Sequence, residues 1–257
     1  MTGVGGAAPA PLIVLHGANG SAQEMEPLLE RLRGRGRQVI AFDMLGHGGR
    51  PIPDRIGIAD LAQDIIAQCE ARAVPSAHWL GFSVGGLVPL WLAAHHPTRV
   101  ISIASLTTKI VYDAAAVAHA THLTDAVRVR RADPARAERL RVIHRPEDWE
   151  RLIRVLQRMF AEFGQVPPLS PENLRGIRQP VLALGGLEDP LVPAAEVRTL
   201  ATLVARGTPA LFPGSAHPLE MAPLDTIART LLAFLDDPER FGRSASVSLH
   251  DFRWDRA

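Results

Sequence analysis

The chain has 257 residues, 47% of them hydrophobic, with 28 Lys and Arg against 27 Asp and Glu. This length and apolar content suit one large domain or a domain with a sizeable insertion. A net charge of +1 without a basic run argues against a nucleic-acid partner, and no apolar stretch approaches the roughly 20 residues that a membrane helix needs. We therefore expect a globular protein with neither a nucleic-acid nor a membrane partner.

Two residue types stand out because each occurs once. Cys69 is the only cysteine, so it cannot form an internal disulfide, and its helical surroundings favour a buried thiol that acts as a small apolar side chain. Lys109 is the only lysine. Residues 1–11 contain neither a positive charge nor an apolar block typical of a secretory signal, and we expect a cytoplasmic location.

Short apolar runs alternate with longer segments of helical period, which is typical of parallel strands joined by crossover helices. Strands are predicted at Leu12–His16, Gln38–Asp43, Ala77–Phe82, Val100–Leu106, Pro180–Gly185 and Ala210–Pro213. Helices are predicted near 22–34, 59–73, 84–96, 194–205 and 218–235. This alternation predicts an α/β fold.

The interval 110–172 breaks the alternation, since it is rich in Arg, Ala and Glu and contains no clear strand. It is far longer than an ordinary connection, so we interpret it as an inserted helical cap on a core formed by residues 1–109 and 173–236. Its apolar residues at helical spacing, such as Leu152 and Met159, fit core packing and also a substrate pocket. The polar tail 237–257 has a faint alternation that leaves open disorder or an added edge strand.

The segment Gly81–Gly85 has the pattern G-x-S-x-G and lies between a predicted strand and a predicted helix. In that position the central residue, Ser83, has strained backbone angles, and the flanking glycines remove Cβ atoms that would clash as the chain reverses. The Ser83 hydroxyl is then exposed at the C-terminal edge of the sheet, above a helix N-terminus. We regard Ser83 as the candidate nucleophile, the alternative being a serine that only caps the helix.

The chain resembles the α/β-hydrolase fold superfamily over nearly its whole length. Four separated motifs carry the resemblance: His16-Gly17-Ala18, the segment Asp43–Gly48 (DMLGHG), the Ser83 turn, and the late pair Asp189 and His217. The resemblance implies a mostly parallel sheet with helices on both faces, plus the cap. It also implies a chain order of nucleophile, acid and histidine, which Ser83, Asp189 and His217 keep.

Within this resemblance, the acid aligns with Asp189, although its neighbour Glu188 is an obvious competitor. The other family position for the acid, after the strand Val100–Leu106, offers only hydroxyl side chains. His217 follows the last predicted strand, where the family places its histidine. Of the ten histidines, those in the cap, His144 included, are most simply interpreted as surface or packing residues.

The family takes its oxyanion donors from two backbone amides, which correspond here to Ala18 and Val84. His16, Asp43 and His47 are interpreted as residues that order their loops. Three further residues are candidates for contact with substrate, each with a structural alternative: Asn19, Lys109 and Met159. No cofactor or metal site is predicted.

A Ser-His-Asp site without a cofactor motif favours hydrolysis of a small, largely apolar ester, lactone or thioester through an acyl-enzyme. Two alternatives stay open. One is a carbon–carbon bond hydrolase of a diketone-type ring-cleavage product, although such enzymes commonly have tryptophan after the histidine, where this chain has Pro218. The other is a non-catalytic small-molecule binding protein.

Overall fold

The computed structural model describes residues 9–34 and 36–241. Within these residues, six strands form one parallel sheet in the order β2-β1-β3-β4-β5-β6. The strands are β1 (Leu12–Leu15), β2 (Val39–Phe42), β3 (Ala77–Phe82), β4 (Val100–Leu106), β5 (Val181–Gly186) and β6 (Gly207–Phe212). The predicted α/β class and parallel sheet are confirmed.

The last strand begins at Gly207, three residues before the predicted Ala210. Of the three added residues, Gly207 and Pro209 have little strand preference on their own. They are tolerated because β6 pairs only with β5 among the described strands, so the missing N–H of Pro209 faces no second partner.

The helices of the described residues are α1 (Glu26–Leu32), α2 (Ile58–Glu70), α3 (Val84–His95), α4 (Ala114–Leu123), α5 (Ala126–Ala132), α6 (Pro134–Ile143), α7 (Trp149–Gln165), α8 (Pro171–Gly176), α9 (Ala194–Leu203) and α10 (Leu224–Asp236). Two predicted helices begin later than expected. Ala22–Met25 and Leu219–Met221 form single 3₁₀ turns instead. The cause is proline: Pro27 lies in the first turn of α1 and Pro223 directly precedes α10, and proline is favoured at a helix start and costs stability within a helix.

The sheet has an apolar layer on each face. Side chains alternate along a strand, so in β1 Ile13 and Leu15 join one buried cluster, whereas Leu12 and Val14 join the other. Helices α1 and α10 supply the second cluster, and α2, α3 and α9 supply the first. The sheet is therefore covered on both sides, and its C-terminal edge is left for functional loops.

Five helices, α4 to α8, lie between β4 and β5 in the described chain. A small core of Val129, Leu140, Trp149 and Ile153 joins α5, α6 and α7. The other side of α7 packs into the first apolar cluster of the sheet. The helical insertion is thus built on α7, and the predicted boundary at residue 172 falls within α8, which packs on α3 and α9.

Two predictions concern features outside this core. The alternation in the tail, at Val247, Leu249 and Phe252, lies outside the described residues. Among the residues that are described, no helix is both long enough and apolar enough to cross a membrane.

Candidate active site

Ser83 occupies the turn between β3 and α3. Its backbone has φ 53° and ψ −123°, a conformation that side-chain-bearing residues rarely adopt and that costs on the order of 1–3 kcal/mol. The Ser83 amide donates to the Leu106 carbonyl on β4 at 2.8 Å, and the Gly86 amide donates to the Ser83 carbonyl at 2.9 Å. Neighbouring elements therefore hold the strained turn in place.

Glycines make this turn possible by close backbone approach. A Cβ atom on Gly81 would lie 2.4 Å from the Gly86 Cα, and one on Gly85 would lie 2.3 Å from the His16 carbonyl oxygen. Both distances are far below van der Waals contact, so α3 crosses β3 and β1 at a separation that only glycine allows. The same closeness brings the loop after β1 to the serine: a Cβ on Gly17 would lie 3.2 Å from the Ser83 Cβ.

The structure brings Ser83, His217 and Asp189 together, although they are far apart in the sequence. The His217 Nε2 is 3.1 Å from the Ser83 Oγ, and the His217 Nδ1 is 2.9 Å from an Asp189 carboxylate oxygen. Because a carboxylate can only accept, Nδ1 carries the proton and donates to Asp189. In the neutral imidazole Nε2 is then an acceptor and faces the Ser83 hydroxyl.

The loop after β5 fixes the acid. Asp189 is 5% exposed, and its second carboxylate oxygen accepts from the amides of Leu191 at 2.8 Å and Val192 at 3.0 Å. The competitor Glu188 points elsewhere, since its carboxylate accepts from the Ser215 amide at 3.0 Å. Glu188 thus braces the loop that carries His217, and Asp189 contacts the imidazole.

The amides of Ala18 and Val84 lie on the two loops that meet at Ser83. Val84 is the first residue of α3, where backbone N–H groups have no partner within the helix. Neither amide donates a hydrogen bond to another group in the described part of the chain.

Histidines order the loops after β1 and β2, as the sequence indicates for two of them. The His16 Nδ1–H donates to the Gly17 carbonyl at 2.7 Å, and its Nε2 accepts from the Met44 amide at 3.1 Å. Burial lowers the pKa of His16 to about 4, so this imidazole is neutral. His47 contacts the His16 ring at 4.9 Å between centroids, and Asp43 accepts from the Ala22 amide at 2.7 Å.

The three candidate substrate contacts differ in their surroundings. Asn19 follows Ala18, is 6% exposed, and has a side-chain oxygen without a hydrogen-bond partner in the described residues. Lys109 forms an ion pair with Glu196 at 2.8 Å and donates to the Leu191 carbonyl at 3.2 Å. Met159 is 1% exposed within the first apolar cluster. Lys109 is accounted for by this pairing, and Met159 by packing, whereas Asn19 keeps an unused polar atom.

Two residues important to this region were missed at the sequence level. Glu196 accepts from the amides of Ile110 and Val111, where the insertion begins, and also pairs with Lys109. His144, interpreted from the sequence as a surface or packing residue, is 1% exposed and bonds to the loops after β1 and β2. No motif in the sequence connects either residue with its distant loop, so the sequence holds no signal for these contacts.

No group of three or more His, Cys, Asp or Glu side chains in the described chain is arranged to hold a metal ion.

A family comparison agrees with this architecture. Residues 10–162 match the family model of the alpha/beta hydrolase fold. The chain belongs to the α/β-hydrolase family. Among solved structures, this α/β hydrolase is 25% identical to a hydrolase from Pseudomonas aeruginosa PA01, with a TM-score of 0.69 over 90% of this chain and 91% of that one. It superposes on the enol-lactonase of Burkholderia xenovorans LB400 with a TM-score of 0.70 at 23% identity, over 89% and 92% of the two chains.

Several curated relatives of this α/β-hydrolase-fold chain are named as hydrolases. It is 31% identical over 101 residues to 3-oxoadipate enol-lactonase 1 of Acinetobacter baylyi, which is 39% of this chain and 38% of that relative. It is 25% identical over 259 residues to the pyrethroid hydrolase of Sphingobium wenxiniae, 91% of each chain. The match to the lactonase spans little more than a third of that relative's own length. Named hydrolases are thus among the proteins that this chain resembles.

Proposed function

We propose that this protein is a serine hydrolase that cleaves a small, largely apolar ester, lactone or thioester through an acyl-enzyme on Ser83. The observation that carries the proposal is the continuous hydrogen-bonded chain from the Ser83 hydroxyl through His217 to Asp189 at a strained strand-to-helix turn. A serine hydroxyl is a poor nucleophile until a base takes its proton, and here the His217 Nε2 faces the hydroxyl at 3.1 Å.

In the proposed first half-reaction, the Ser83 Oγ attacks the substrate carbonyl carbon while its proton passes to the His217 Nε2. Asp189 stabilises the resulting imidazolium. The carbonyl oxygen becomes an oxyanion and accepts from the amides of Ala18 and Val84, an interaction typically worth about 2.7–4 kcal/mol of barrier for each donor. His217 then returns the proton to the leaving alcohol or thiol, and Ser83 is left acylated.

In the second half-reaction, water replaces the leaving group. His217 takes a proton from the water as its oxygen attacks the acyl carbon, and the Ser83 oxygen leaves with that proton. The products are a carboxylic acid and the free enzyme. For a lactone, the acid and the alcohol remain in one molecule, so one ring-opened hydroxy acid is released.

Lactones are the class to examine first. A relative at 31% identity and a structural neighbour with a TM-score of 0.70 are both named as enol-lactonases. This chain spans little more than a third of that relative's length, and the site geometry together with the likeness supports the substrate class. The position of Asn19, buried beside Ala18 with a free side-chain oxygen, supports it as a polar substrate contact.

The proposal is tested with a panel of lactones, short-chain aryl esters, acyl thioesters and ring-cleavage dienoates. We expect turnover of a member of the first three groups, and Ser83→Ala lowers its kcat by at least about 10³-fold. Ser76→Ala, at the opposite end of β3, is the matched control and retains wild-type kcat. Turnover of the dienoates alone would favour carbon–carbon cleavage, and binding without turnover of any compound would favour the binding protein.

A further inference from the structure

His144 connects the helical insertion to the loop after β1, which lies beside Ser83, and to the loop after β2. It follows α6 and precedes α7, and it is 1% exposed. Its Nε2–H donates to the Asn19 carbonyl at 3.1 Å, and its Nδ1 accepts from the Gly48 amide at 3.2 Å. Only the neutral Nε2–H tautomer satisfies both bonds, because one partner accepts and the other donates.

The bond to Asn19 acts on the backbone that carries the Ala18 amide. On one side of Ala18, the Gly17 carbonyl accepts from the His16 Nδ1–H at 2.7 Å. On the other side, the Asn19 carbonyl accepts from His144. Asn19 has φ 61°, in the left-handed region that asparagine adopts more readily than most residues with a side chain. His16 therefore holds the Gly17–Ala18 peptide unit, which carries the Ala18 amide, directly. His144 holds the Asn19–Gly20 peptide unit, whose Gly20 amide donates to the same Gly17 carbonyl at 3.1 Å.

The helical insertion packs closely against the loop after β2 in the region of His144. Gly49 has φ 79°, and a Cβ atom there would lie 2.0 Å from the Arg145 carbonyl oxygen. A Cβ on Gly46 would lie 3.5 Å from a methyl carbon of Leu152 on α7. The backbone after His144 and the start of α7 thus contact the loop after β2 directly.

The groups around His144 keep it neutral. Burial lowers its pKa, and the nearby Asp43 carboxylate partly opposes this effect. The His47 ring lies 5.8 Å away between centroids, and the pKa values of His47 and His16 are lowered by burial as well. Neutral His144 retains the acceptor that the Gly48 amide requires.

We propose that His144 is a positioning residue for the oxyanion donors, because through the Asn19 carbonyl it fixes the position of the Ala18 amide. The position of this amide then depends on how the helical insertion packs against the loops after β1 and β2. This proposal rests on the proposed function for its catalytic consequence. The hydrogen bonds themselves can be tested without any turnover.

The structural half is tested by hydrogen–deuterium exchange of wild type, His144→Phe and His144→Gln. Phenylalanine keeps a ring but removes both bonds, whereas glutamine keeps an N–H donor able to reach the Asn19 carbonyl. We expect faster exchange in the segments 16–20 and 44–50 of His144→Phe, and exchange closer to wild type in His144→Gln. His122→Phe is the matched control at an exposed histidine of the same insertion and leaves both segments unchanged.

The catalytic half is tested with the ester or lactone that the wild type turns over and with a phenylboronic acid, which mimics the tetrahedral intermediate on a serine. We expect His144→Phe to lower kcat about 10- to 100-fold with little change in KM, because a displacement of about 1 Å can cost 10²-fold. The affinity for the boronic acid falls by the same factor. His144→Gln restores most of both quantities, which a general loss of packing would not do.

The outcomes separate the two proposals. Unchanged exchange in segments 16–20 and 44–50 of His144→Phe would overturn the positioning role. Faster exchange with unchanged kcat and boronate affinity would also overturn it, because the tie would then have no bearing on the oxyanion donors. A wild type that neither turns over any substrate nor binds the boronic acid would contradict the proposed function, and the exchange result alone would then decide whether His144 holds the loop.

Discussion

At the residue scale, the Asp189 carboxylate both contacts His217 and accepts hydrogen bonds from its own loop. One oxygen faces the His217 Nδ1, and the other accepts from the Leu191 and Val192 amides. In Asp189→Asn, these amides would retain the side-chain oxygen and turn the NH₂ group toward His217. The imidazole would then be driven to the tautomer protonated at Nε2, which cannot act as a base toward Ser83.

We therefore expect Asp189→Asn to lower kcat by about 10²- to 10⁴-fold with little change in the melting temperature. Steady-state kinetics and thermal unfolding measure the two quantities. Glu188→Gln is the matched control, because its carbonyl oxygen still accepts from the Ser215 amide, and it keeps wild-type kcat within a few fold. If the two variants lost equal activity, the assignment of Asp189 over Glu188 would be wrong.

At the scale of elements, Glu196 on α9 anchors the chain where the helical insertion begins. Its carboxylate accepts from the Ile110 and Val111 amides at 2.6 and 2.8 Å and pairs with the ammonium group of Lys109. The side chain of Glu196 is 9% exposed and that of Lys109 is 22% exposed, so the pair is largely removed from water. The single lysine of the sequence thereby gains a structural explanation.

Glu196→Ala leaves the two amides without their acceptor and leaves the Lys109 ammonium with the Leu191 carbonyl alone. We expect this substitution to lower the free energy of unfolding by about 2–4 kcal/mol. The groups that bonded to the carboxylate remain largely removed from water, and the lost hydrogen bonds no longer offset that cost. Urea denaturation measures this loss. Glu172→Ala, an exposed carboxylate on α8, is the control and changes stability by less than about 0.5 kcal/mol. Equal losses of unfolding free energy in the two variants would show that the bonds of Glu196 to Lys109 and the two amides add no specific stability.

Elements were predictable from the sequence where one local pattern decides them. The run Ala77–Phe82 and the helix that follows are apolar enough, and bounded closely enough by glycines, to mark both elements and the serine between them. The late starts of α1 and α10 follow from prolines whose effect on helix starts the prediction did not apply. The site residues His144 and Glu196 could not be predicted, because their partners lie 125 and 86 residues away in the chain, Asn19 for the first and Ile110 for the second.

At the scale of the whole molecule, buried neutral histidines link stability to pH. Burial lowers the pKa of His16 and of His78 to about 4, from an ordinary value of 6.5. Between these values the unfolded chain binds more protons than the folded protein. The stabilisation from these groups is therefore fully present above pH 6.5 and is lost as the pH falls toward 4.

We expect the free energy of unfolding to fall as the pH is lowered from 6.5 to 4.5, with a slope of about 1.4 kcal/mol per pH unit for each proton taken up. His78→Gln, on β3 away from Ser83, reduces the slope by up to the contribution of one proton, about 1.4 kcal/mol per pH unit. His122→Gln, at an exposed position, leaves it unchanged. Urea titrations at several pH values give the slopes, and a His78→Gln slope equal to that of wild type would contradict this linkage.

The central claim is that Ser83 is the nucleophile, and covalent labelling tests it most directly. The protein is treated with a fluorophosphonate, and the modified peptide is identified by mass spectrometry. We expect one phosphonyl adduct on Ser83. It is absent from Ser83→Ala, present in Ser76→Ala, and formed much more slowly in Asp189→Asn. An adduct that persists in Ser83→Ala, or one mapped to another residue of the wild type, would contradict it.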